Sequence, residues 1–77
     1  MLRLEERFTC EDDVGRHYEV EVYREVGSRR TSAGIEEALG LRQAFLVEEA
    51  PPRRVIATHE EGVFQIVEDG TILRRWG

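Results

Sequence analysis

The chain has 77 residues, enough for one domain with one small core, and we expect a single domain spanning residues 1–77. Its 16 acidic and 11 basic residues give a net charge of −5, which argues against a general binder of nucleic acid or of anionic membranes. Cys10 is the only cysteine, so an intrachain disulfide is excluded and a reducing, cytoplasmic location is expected. A core this small benefits from association, so we also expect a homodimer.

The first residues do not have the pattern of a targeting segment. Residues 1–7 alternate apolar and charged side chains, whereas a signal peptide needs a continuous apolar region. The longest apolar run, residues 44–47, is far shorter than a membrane span. We therefore expect a soluble protein without a membrane partner.

Two stretches near the start alternate with the period of two that half-buried strands show. They flank an acidic turn at residues 11–15 and are expected to pair as a long hairpin. The inner face of the first stretch is predicted to hold Leu2, Leu4, Phe8 and Cys10, with Glu6 as its one break. The inner face of the second, residues 16–26, is predicted to hold Tyr18, Val20, Val22 and Val26, with Arg24 as its break.

The middle of the chain is harder to assign. Residues 27–32 are predicted to form an exposed loop, and Ser32 is placed to cap one short helix over residues 32–39 that ends before Gly40. A longer helix over residues 35–47 is the main alternative, but Gly40 would cost it about 1 kcal/mol relative to alanine. We favour the short helix or a loop, followed by a strand over residues 41–48.

The last third carries the strongest hairpin signal. Pro51 and Pro52 end the preceding strand, residues 54–59 suit a short strand, and Asp69-Gly70 separates two β-prone runs within residues 63–76. With Asp69 and Gly70 as a two-residue type I′ loop, Ile66 faces Leu73 and Phe64 faces Arg75. Apolar side chains then lie on both faces, so we expect this hairpin near the middle of the structure, covered on each side. The chain is thus predicted to be all-β: a small antiparallel sheet, sandwich or barrel of about six strands, with at most one short helix near residues 32–39.

A strand at residues 40–45, the turn before Arg54, an acidic bend with the Phe-x-Ile pattern at residues 60–66, and the segment from Gly70 to Leu73-Arg74-Arg75 follow in this order. This order resembles the C-terminal half of small bacterial β-proteins that have no assigned activity. The chain departs from that pattern by using Pro51-Pro52 where a glycine turn is usual. The resemblance implies a β fold and transfers no functional site.

No catalytic or metal-binding constellation is predicted. Cys10 follows the inward parity of its strand and precedes three acidic residues, which disfavours a reactive thiolate. His17 and His59 lack the close-set partners that transition-metal sites require. We therefore expect a protein that is not an enzyme, with no cofactor and no metal.

One surface is a candidate for binding. Arginine pairs recur along the chain, and an arginine-rich face with an exposed aromatic ring is typical of small barrels that bind single-stranded nucleic acid. Neighbours on a strand point to opposite faces, so such pairs cannot both line one groove. The candidate binding residues are Arg29, Arg30, Arg53, Arg54, Arg74 and Trp76. Because no catalytic or metal site is predicted, we favour a non-enzymatic protein-interaction or self-assembly module that binds a second copy of itself or another protein. The alternative is a small barrel that binds single-stranded nucleic acid through its arginine pairs.

Overall fold

The computed structural model describes residues 1–47 and 50–76, and its regular structure is entirely β. Six antiparallel strands form a closed barrel in the order β1-β2-β3-β4-β5-β6, which confirms the all-β prediction. The strands are β1 (Leu2–Glu11), β2 (His17–Thr31), β3 (Gly34–Leu46), β4 (Arg54–Ala57), β5 (Val63–Ile66) and β6 (Ile72–Arg75). The barrel closes where β1 meets β6, with Cys10 opposite Arg75.

The core fills the barrel with side chains from every strand. The buried set comprises Phe8, Cys10, Val20, Val22, Leu46, Val55, Ile66 and Leu73, with Tyr18, Ala44 and Phe64 packed against it. The inner face predicted for β2 is therefore confirmed, with Val20, Val22 and Val26 buried and Tyr18 packed against the core.

The inner face predicted for β1 is wrong in its first half. Leu2 and Leu4 are 48% and 49% exposed, while Phe8 and Cys10 are buried. The register between β1 and β2 shifts between Leu4 and Glu6, so Leu4 lies opposite Tyr23 whereas Glu6 lies opposite Val22. This bulge places Glu5 as an extra residue in β1. Residues before the bulge therefore face the opposite side of the sheet from the one that simple alternation predicts, so Leu2 and Leu4 face outward.

Neither the loop predicted for residues 27–32 nor the short helix predicted for residues 32–39 is present. β2 and β3 continue past the barrel as a two-stranded ribbon, residues 26–39, which we call the arm. The strand favoured for residues 41–48 is the barrel half of β3, and its predicted last residue lies outside the described part of the chain. Thr31 and Gly34 flank a two-residue turn, and the Thr31 hydroxyl donates a hydrogen bond to the Gly34 carbonyl at 3.2 Å. The cross-strand pairs of the arm stabilise the extended conformation of residues 32–39 more than a cap at Ser32 would stabilise a short helix.

The last hairpin forms in a different register from the one predicted. Phe64 lies opposite Leu73, and five residues join β5 to β6 in place of a two-residue type I′ turn. A type I′ turn needs positive φ at both central residues. Gly70 has a φ of 76°, but Asp69 does not have a positive φ, because every described residue with positive φ is a glycine. The hairpin is also covered on one face only, since Trp76 on the other face is 57% exposed. It closes the barrel against β1 and does not lie at the centre.

Tertiary contacts hold this wider loop. The Arg54 backbone N–H donates to both carboxylate oxygens of Glu68, at 3.0 and 3.3 Å. Arg53 binds the Asp69 carboxylate at 2.7 Å, and the same carboxylate accepts the Thr71 N–H at 2.8 Å. Because the start of β4 recruits both acidic side chains, the loop opens beyond the tight turn that Asp-Gly favours by itself.

Candidate functional site: the open edge of β3 and the adjoining cleft

One side of β3 is largely unpaired. β4 pairs with β3 only at Ala44 and Phe45, so residues 34–43 have no neighbouring strand on that side within the described part of the chain. We call these ten residues the open edge. An unpaired row of backbone N–H and C=O groups is a template for a further strand.

The hydrogen bonds of Val26 show which groups the open edge presents. Val26 exchanges both backbone hydrogen bonds with Met1, at 2.7 and 3.1 Å, so its N–H and C=O point toward β1 and away from β3. Leu39, which lies opposite Val26, therefore belongs to a non-hydrogen-bonded pair and directs its own N–H and C=O outward. By alternation the outward groups also include those of Ile35 and Glu37.

The same residues carry apolar side chains on the core-facing side of the sheet. Ile35 lies opposite Arg30 and Leu39 lies opposite Val26, and both partners have the β2 parity of the buried Val22. Ile35 and Leu39 are nevertheless 74% and 60% exposed, because the arm extends past the barrel that would cover them. Large apolar side chains beside an unpaired edge are typical of an interaction surface.

A cleft of about 710 Å³ opens where the open edge meets the barrel. The cleft exists because β4 pairs with β3 at only two residues and then continues along β5. As a result Ala57 of β4 is exposed, although it lies opposite Phe64 of β5. The volume lies in the range of ligand pockets in proteins. Its lining includes the core side chains Phe8, Val22, Ala44, Val55 and Phe64, with Glu6 and Arg42 among the charged groups.

A charged layer on the core-facing side of β1, β2, β3 and β6 adjoins the cleft. Glu5 accepts contacts from Arg24 and Arg42 at 3.2 and 3.1 Å, and Glu6 accepts one from Arg75 at 3.1 Å. The Arg75 guanidinium also stacks over the Phe8 ring at 4.4 Å, which places a cation on an aromatic face. The β1 bulge brings the successive residues Glu5 and Glu6 into this layer, so the same irregularity that displaces Leu4 builds it.

The structure places the candidate binding residues in three separate regions. Arg29 and Arg30 lie on the arm, where Arg29 pairs with Glu36 at 3.4 Å. Arg53 and Arg54 contact the β5–β6 loop, with Arg54 3.9 Å from Glu68.

The third region is the β1–β2 turn. Arg74 is 3.6 Å from Asp13, and the Trp76 ring packs on His17 with ring centroids 4.7 Å apart. Arg74 and Trp76, which are two residues apart in the sequence, thus both contact the region of the β1–β2 turn. The six residues do not form one continuous surface.

Cys10 is fully buried in the core, and burial raises the pKa of its thiol to about 11. Its environment is that of a structural thiol. The described residues contain no group of three or more His, Cys, Asp or Glu side chains that could hold a metal ion. They also contain no helix long and apolar enough to cross a membrane.

Sequence reasoning missed the open edge and the cleft. The local signal for the arm is weak, since Ser32-Ala33 is not a typical hairpin dipeptide and Glu37 interrupts the parity that Ile35 and Leu39 share. No local sequence pattern predicts the cleft, because the cleft depends on how many residues of β4 pair with β3 in the folded sheet.

The fold and this site define a closed six-stranded antiparallel barrel with a projecting arm and a long open edge along β3. Comparison of the chain with protein-family models, with curated proteins and with solved structures finds no match in any of the three.

Proposed function

We propose that this protein is a non-enzymatic interaction module that binds a protein partner by strand addition at the open edge. The observation that carries the proposal is the unpaired side of β3, whose ten residues make it longer than the other unpaired strand edges of the described chain, residues 2–8 of β1 and residues 27–31 of β2. Strand addition draws affinity from main-chain hydrogen bonds, and Ile35, Glu37 and Leu39 direct theirs outward.

The cleft supports the same proposal. A strand added along residues 34–43 would end beside Ala44, where the cleft begins. Pockets that receive alternate side chains supply specificity in this mode of recognition. The apolar lining of the cleft favours an aliphatic or aromatic side chain at that end of the added strand.

The charged layer suits a structural role. Glu5 and Glu6 are held by arginines on other strands, and Arg75 in addition covers Phe8. A reducing, cytoplasmic location is part of the proposal and is supported by the buried thiol of Cys10.

The test selects ten-residue peptides from a random phage-displayed library on the wild-type protein and maps their binding by amide chemical shifts. Shifts concentrated at residues 34–43 are the expected result, and shifts concentrated elsewhere would overturn the proposal. Glu37→Pro removes one outward N–H and is expected to abolish peptide binding. Glu37→Ala loses the same side chain, retains the N–H and serves as the matched control, so it should still bind.

Single-stranded nucleic acid is the competing ligand. If the dispersed arginines bound it, affinity for an oligonucleotide would be measurable at about 50 mM salt and would fall steeply as salt rises. The interaction-module proposal expects no such binding, and a salt-dependent affinity lost on Arg74→Ala would favour the alternative.

A further inference from the structure

We propose that the strand which adds to the open edge is the open edge of a second copy of this chain, related by a two-fold axis that passes through Glu37. This inference rests on the proposed function and names its partner. A two-fold contact of this kind needs only one self-complementary segment.

The geometry of the arm restricts where the axis can lie. Residues opposite each other in an antiparallel pair share a face, and Ile35, Glu37 and Leu39 share one face while Glu36 and Ala38 share the other. An axis between two residues would place Ile35 against Glu36 or Ala38 and is excluded. If the axis passes through a residue, that residue must be Glu37 for Ile35 of each copy to lie opposite Leu39 of the other copy.

That register also satisfies the backbone. Ile35, Glu37 and Leu39 all direct their N–H and C=O groups toward the open edge, so all three opposed pairs become hydrogen-bonded pairs. On the core-facing side a row then runs from Val26 through Leu39 to Ile35 of the second copy. The two most exposed apolar side chains of the arm thus cover one another.

The length of the arm fits the length of the open edge. In this register the Ser32-Ala33 turn of the second copy lies beside Arg42 and Leu41, just before Ala44, where β4 begins to pair. The bulge formed by Gly40 and Leu41 opposite Glu25 falls outside the segment that pairs. The second copy therefore occupies the open edge without displacing β4.

Association also explains how the arm persists. A two-stranded ribbon is marginally stable by itself, whereas two paired arms make a four-stranded sheet. The two Glu37 carboxylates meet at the axis, which is unfavourable for like charges. Each is bound by Arg3 of its own copy at 2.7 Å, so the axis carries two acids and two arginines.

Site-specific cross-linking tests the register. Glu37→Cys places two thiols in directly opposed residues about 5.5 Å apart at Cα, within the span of a disulfide, and oxidation should link the copies. Ser28→Cys is the matched control, because Ser28 lies opposite Glu37 within one copy and its Cα atoms would be about 14 Å apart in the dimer. Cys10 is fully buried and does not interfere.

Sedimentation of the wild-type protein measures the association itself. We expect a dimer at about 100 µM and a dissociation constant raised about tenfold or more by Ile35→Ser, which removes apolar contact at both symmetric positions. A species of 8.9 kDa at that concentration would overturn the inference, as would a wild-type dimer whose Glu37→Cys variant does not cross-link. A monomer that still binds selected peptides at residues 34–43 would leave the proposed function standing, whereas loss of that peptide binding would remove both.

Discussion

Arg3 Nη2 lies 2.7 Å from Glu37 Oε2 and so joins β1 to the arm across the full width of β2. The hydrogen bond from Arg3 lowers the pKa of the Glu37 carboxyl from its ordinary value of 4.5. Because the folded pKa lies below the unfolded one, this contact contributes stability above the unfolded pKa and loses it as pH falls through the folded pKa.

The first prediction concerns this pair. In Arg3→Ala the pKa of Glu37 should return toward 4.5, because the hydrogen bond that favours the carboxylate is gone. The measurement is the side-chain carboxyl carbon shift of Glu37 by NMR between pH 2 and 6, compared between wild type and variant. Identical Glu37 titrations in wild type and variant would show that Arg3 does not hold this carboxylate in solution.

The second prediction concerns the β5–β6 loop. Gly70→Ala should lower the free energy of unfolding by more than about 1 kcal/mol, since Gly70 has a φ of 76° that alanine resists. Gly27→Ala is the matched control, because Gly27 lies in β2 without positive φ and an added Cβ meets no atom within 4 Å. Urea denaturation of the two variants compares them directly, and equal stabilities would mean that the loop relaxes around alanine.

The third prediction concerns the thiol of Cys10. Burial raises its pKa from 9.0 to about 11, so at pH 8 its thiolate fraction is about a hundredfold below that of an exposed cysteine. Ellman's reagent should therefore react with the native protein at least about a hundredfold more slowly than with the protein in denaturant. Rapid reaction under native conditions would place Cys10 at the surface.

The fourth prediction compares two leucines on opposite sides of the barrel wall. Leu46→Ala should cost about 2–5 kcal/mol because Leu46 is 2% exposed and its removal leaves a cavity. Leu4→Ala makes the same chemical change at a side chain that the β1 bulge turns outward, so its cost should stay below about 1 kcal/mol. Thermal or urea denaturation decides, and similar costs would indicate that Leu4 packs inside.

The alternation of the sequence determined several features of this protein without help from tertiary structure. Val20, Val22 and Val26 lie on one side of β2 because successive strand residues point to opposite faces wherever the chain is extended. The burial of Cys10 and the pairing of β5 with β6 around Gly70 follow from equally local patterns. Six strands and an all-β fold could be predicted for this reason.

Tertiary structure decided what local patterns leave open. The bulge before Glu6 turns Leu4 outward because β1 must match β2 while it also closes the barrel against β6. The β5–β6 loop widens because Arg53 and Arg54 recruit acids that lie more than a dozen residues later. The open edge and the cleft exist because β3 is long and β4 is short, and a difference in the lengths of paired strands is a property of the assembled sheet that no single segment encodes.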